Sequence, residues 1–101
     1  MDLEEFGRIA EALDGVHRGT AAGQRRWTYR GRLVAREVDE HTVVVRMDPD
    51  LRHGWVSDLP GTFSVPRAMV RHHSVLVDLD GNPDAITQAV RAARDLQRAE
   101  D

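Results

Sequence analysis

The spacing of apolar residues changes period along this chain, and that change sets the fold class. Leu3, Phe6, Ala10 and Leu13 recur at intervals of three and four, as one face of a helix does, and Ile86, Ala89, Val90, Ala93 and Leu96 do so again near the other end. Between them the period falls to two. Trp27 and Tyr29, then Leu33 to Val38, then Val43, Val45 and Met47 follow it, and so do Phe63 with Val65 and His73 with Val75, Val77 and Leu79. Helices with one apolar stripe and strands with one apolar face must bury each other, so the pattern predicts a domain that mixes helices and strands. Short turns make the first three strands antiparallel. The expected order is α-β-β-β-α-β-β-α, with residues 1–101 forming a single domain.

Boundaries follow from local chemistry. Asp2 with Glu5 three positions later reads as a helix start, and Gly15 suits a left-handed exit. Val16 to Gln24 has small residues and no periodicity, and it reads as a mobile loop. Arg30, Gly31 and Arg32 form a hairpin tip, and Asp39 to His41 a second turn. Asp48-Pro49 opens a short helix with Leu51, Trp55 and Leu59 on one side, weakened by Gly54 and stopped by Pro60-Gly61. Asn82, Pro83 and Asp84 open the last helix, whose Arg91, Arg94 and Arg98 lie off the buried stripe.

Composition excludes several kinds of chemistry. With no cysteine there is no disulfide framework, thiolate metal site or cysteine nucleophile. All 14 basic residues are arginine, which removes lysine chemistry and favours planar pairing with carboxylate or phosphate. The longest apolar run, Val43 to Val45, is far below membrane-spanning length. Residues 1–14 carry acids where a signal peptide carries positive charge, so the expectation is a cytoplasmic protein without a membrane partner.

Charge is distributed unevenly. Between Gly15 and Arg36 every charged side chain is arginine, namely Arg18, Arg25, Arg26, Arg30, Arg32 and Arg36, in a chain whose net charge is −3. Such a strip attracts phosphates from a partner or carboxylates from its own chain. The candidate nucleic-acid contacts are Arg25, Arg26, Arg30 and Arg32, with Arg18 from the preceding segment, on a twisted basic hairpin. Trp27 and Tyr29 can stack on bases only if exposed. The opposing structural reading turns both aromatics into the core and pairs the arginines with Glu4, Glu11 or Asp95.

Other constellations favour structural roles. The histidines lack paired zinc spacing, and His72 and His73 are adjacent, so as strand residues they point to opposite faces. Asp78 and Asp80 resemble a catalytic carboxylate pair, but Gly81-Asn82-Pro83 follows and favours a turn role. Ser57, Ser64 and Ser74 lack a nucleophile elbow, and no glycine-rich phosphate loop follows a strand. The expectation is therefore a protein that is not an enzyme and that uses no metal or other cofactor.

In order and spacing, five segments resemble the MmcQ/YjbR family of small bacterial proteins. These are Gly15-Val16, Trp27-Thr28-Tyr29-Arg30-Gly31-Arg32-Leu33-Val34-Ala35, Val44-Val45-Arg46-Met47-Asp48-Pro49, Phe63-Ser64-Val65-Pro66, and Val75-Leu76-Val77-Asp78-Leu79. The resemblance implies a two-layer α+β fold, an antiparallel sheet with the helices on one face, similar to type III secretion chaperones, frataxin-like domains and double-wing phage transcription factors. It also implies a DNA-associated regulatory role. The alternative is a chaperone-like scaffold for a protein partner, with Met69 and Val70 in the irregular Pro66 to Arg71 linker offering apolar contact.

Overall fold

The structure, a computed structural model, describes residues 1–100. Its elements are α1 (Leu3–Ala12), β1 (Val16–Ala21), β2 (Gln24–Tyr29), β3 (Arg32–Asp39), β4 (Thr42–Arg46), α2 (Pro49–Asp58), β5 (Phe63–Ser64), β6 (Ser74–Asp78) and α3 (Pro83–Ala99), with a 3-10 turn at Arg67–Met69. The six strands form one antiparallel sheet in the order β1-β2-β3-β4-β6-β5. The α+β class is thus as expected.

One element departs from expectation. Val16 to Ala21, expected as part of a loop, is edge strand β1, paired along its whole length with β2. Only Val16 of the strand is buried, so no apolar alternation marks it, and its stability comes from the ladder. Ala22 and Gly23 close the β1–β2 hairpin with φ of 53° and 78°, and Arg30 and Gly31 close the β2–β3 hairpin with 50° and 80°. Positive φ at both positions is what a two-residue loop needs to follow the strand twist. Because Ala22 is not a usual turn residue, the first hairpin is hidden in the sequence.

Helix ends follow the predicted chemistry. Asp2, Asp48 and Asn82 each accept an amide of the first turn, from Glu5, Asp50 and Ala85 at 2.8, 2.9 and 3.0 Å. Gly15 has φ of +82°, and a Cβ there would overlap the Tyr29 ring. Its backbone conformation and the ring's close approach therefore both require glycine.

All three helices cover one face of the sheet. α1 lies over β1 and β2, α3 over β2 to β4, and α2 over β6 and β5. The covered core holds Phe6, Trp27, Val43, Val45, Val75, Val77, Ile86 and Val90, all at 0 % exposure. Trp27 meets Phe6 edge-on at 5.2 Å and donates from Nε1 to Glu11 Oε2 at 3.1 Å, so its one polar atom is satisfied. Two details of the α3 stripe differ from the periodic reading. Leu96 is only half-buried, whereas Gln97 is buried and donates from Nε2 to the Leu33 carbonyl at 2.7 Å.

The irregular segment before β6 is tied down by one side chain. Arg52 Nη1 donates to the His72 and Ser74 carbonyls at 2.6 and 3.0 Å, and Nη2 to the Val70 carbonyl at 3.0 Å. The rigid guanidinium fork thus satisfies backbone acceptors that no ladder reaches.

Candidate nucleic-acid interface

Strand register assigns each basic residue to a face. Trp27 and Tyr29 point into the helix-covered core, which removes them as stacking platforms. Arg18 and Arg25 alternate with the same parity and turn toward α1. Arg25 Nη2 lies 3.0 Å from Glu4 Oε1, and Arg18 Nε lies 4.0 Å from Glu11 Oε1. Arg32 is opposite Tyr29 and donates from Nη1 to the Gln97 carbonyl at 3.2 Å, placing a cation at the C-terminal end of α3 where the helix dipole favours it. At the hairpin tip, the Arg30 guanidinium lies 5.6 Å from the centroid of the Tyr29 ring. The five candidate arginines are therefore divided between two faces and a loop tip.

Arg26 alone of the five projects from a strand on the helix-free face, and the register brings two other arginines to it. Arg26 on β2 is directly opposite Arg36 on β3, Arg36 is opposite Val44 on β4, and Arg46 follows two residues further along β4. Arg46 Nη1 donates to Ser74 Oγ, its cross-strand partner, at 3.3 Å. Arg36 belongs to the basic strip but was not among the candidate contacts, and Arg46 lies outside the strip. Strict alternation from Arg26 could not find them, because a β-bulge interrupts the β2–β3 ladder between Trp27 and Thr28.

Electrostatically the face is lopsided. Among the described residues neither Arg26 nor Arg36 makes an ion pair or a side-chain hydrogen bond. Like charges directly opposite each other in a sheet cost roughly 0.2–1 kcal/mol. The register puts two carboxylates on the same face, Asp39 and Asp78, flanking Thr42 near the β3–β4 turn. Each is occupied: Asp39 accepts the His41 amide at 2.8 Å and Asp78 the Asp80 amide at 2.9 Å. The His41 amide and then the Thr42 hydroxyl hold the Asp39 carboxyl below the usual carboxylate range. Asp78 and Asp80 thus build a turn, and no group of three potential metal-ligating side chains occurs among the described residues.

Beside the two arginines, Ala21, Gln24, Arg26 and Arg36 line a shallow concavity of about 90 Å³, with Arg25 and Glu37 completing its wall. Glu37 is engaged there, since its Oε1 accepts the Arg25 amide at 2.8 Å. Among the described residues no helix is long and apolar enough to cross a membrane. No family model, curated protein or solved structure matches the chain.

Proposed function

We propose that the protein binds DNA through its helix-free sheet face, with Arg26 and Arg36 contacting phosphates and Arg46 contributing further along β4. The observation that carries this reading is the cross-strand pair of arginines, opposed across two strands and, among the described residues, without a carboxylate at ion-pair distance. A polyanion replaces their mutual repulsion with charge-assisted, bidentate hydrogen bonds to phosphate oxygens. Val44, although on this face, is 3 % exposed, and the half-buried Leu76 is its cross-strand neighbour. The centre is therefore a firm apolar floor flanked by guanidinium groups. Contacts of this type position a backbone and carry no base information, so the expected binding is weakly sequence-dependent. The sequence resemblance to MmcQ/YjbR proteins points the same way. Fluorescence anisotropy with labelled duplex and single-stranded DNA over a salt series tests the proposal. Absence of salt-sensitive binding, or binding unaltered by replacing Arg26 and Arg36 together, refutes it.

A further inference from the structure

The three helices do not close evenly over the sheet. α1 packs on α3, but no comparable packing joins α3 to α2, and a groove runs between those two beside the end of β4. Its deeper end, about 300 Å³, is walled by Leu51 and Trp55 of α2 and by Ala92 and Leu96 of α3, with Met47 also lining it. The groove continues past Leu59 toward Ala85 and Gln88. α2 contains no buried residue, and Leu51 is 60 % exposed. The Leu51, Trp55 and Leu59 stripe that defines this helix is thus only partly covered, although Trp55 does meet Phe63 edge-on at 5.2 Å.

We infer that this groove receives an amphipathic helix with basic flanks from a partner protein. Its shape fits a helix. From Ala85 to Leu96 the α3 wall is about 16 Å long at a rise of about 1.5 Å per residue, enough for roughly three turns lying between two existing helices. Its rim selects the charge. Asp50 and Asp58 of α2 border the groove without ion pairs among the described residues. Asp48 caps α2, and Asp95 lies 2.8 Å from Arg94 Nε, so both are partly committed. The basic residues of α3 are directed elsewhere: Arg94 also donates to the Asp14 carbonyl at 3.0 Å, and Arg91 and Arg98 do not line the groove. The single arginine in the lining, Arg46, donates to Ser74 Oγ. An apolar floor with acidic edges favours Leu-rich helices carrying Lys or Arg and rejects those carrying Glu, since like charges at the rim repel.

The test uses the full chain and two labelled peptides of about four helical turns, each with leucines along one face, one flanked by lysines and the other by glutamates. The lysine peptide should bind at least about tenfold more tightly than the glutamate peptide. Leu51→Asp should weaken it by about tenfold or more, and the double change Asp50→Lys, Asp58→Lys should reverse the charge preference. All three substitutions are at exposed positions, and a thermal melt checks that each variant remains folded. Equal binding of the two peptides, or full retention by folded Leu51→Asp protein, overturns the inference. So does a wild-type dimer in sedimentation that Leu51→Asp dissolves, because a second copy would then be the occupant. DNA binding through Arg26 and Arg36, neither of which lines the groove, provides a separate readout.

Discussion

Replacing Arg36 by threonine separates the two consequences of setting it opposite Arg26. In the free protein the substitution removes a like-charge cross-strand pair whose cost is roughly 0.2–1 kcal/mol, and threonine suits an exposed strand position. For a domain of this size each kcal/mol moves Tm by about 4–8 °C, so a rise of roughly 1–8 °C is expected at low salt. The gain should shrink in 1 M salt, where the Debye length falls to about 3 Å and the original repulsion is already screened. In the complex the same change removes a phosphate contact. If Arg26, Arg36 and Arg46 each neutralise one phosphate, log K falls with log salt at a slope of about −2.7, or roughly fortyfold between about 50 and 200 mM. Replacing Arg26 and Arg36 together leaves a slope of about −0.9, and the loss over that range drops to roughly three- to fourfold. Differential scanning fluorimetry and anisotropy on the same samples read both effects. A Tm that falls with Arg36→Thr at low salt contradicts the unrelieved repulsion, and a slope unchanged in the double variant contradicts the phosphate contacts.

Three further outcomes follow from the fold. Gly15→Ala combines a left-handed backbone with overlap against the Tyr29 ring and should cost about 2–5 kcal/mol, measured by urea unfolding. Arg52→Ala removes the donor that holds the Val70, His72 and Ser74 carbonyls. It should cost about 1–2 kcal/mol and raise amide exchange between residues 66 and 74 ahead of the sheet. Asp39 should titrate below its ordinary value of 3.8. Since its folded pKa is depressed, its contribution to the β3–β4 turn is present above the unfolded value and is lost as pH falls through the folded one. A carboxyl carbon shift titration checks this, and an Asp39 pKa at or above 3.8 refutes it.

Much of the framework was legible because it depends on neighbours in the chain. Asp2, Asp48 and Asn82 cap helices through amides two or three residues away, and the Arg30-Gly31 loop follows from a glycine between alternating segments. The α2 stripe was equally legible, but that α3 stops short of covering it was not, since the width of the gap depends on small residues such as Ala92 on the other helix. Strand β1 was missed because edge pairing does not require an apolar face.

By itself the sequence determined the mixture of helices and strands, the helix caps and the concentration of arginine between Arg18 and Arg36, since composition and local period encode all three. Tertiary structure decided which of those arginines share a surface. A regular two-residue loop at Arg30-Gly31 would pair Arg26 with Ala35, and Arg36 would follow Arg25 to the helix-covered face. The bulge at Trp27/Thr28 shifts the register by one, draws Val34 and Ala35 both into the core, and sends Arg36 to the open face opposite Arg26. Strand side chains alternate at every step, so one extra residue reverses the destination of all that follow. Whether that residue is accommodated depends on packing from the opposite layer.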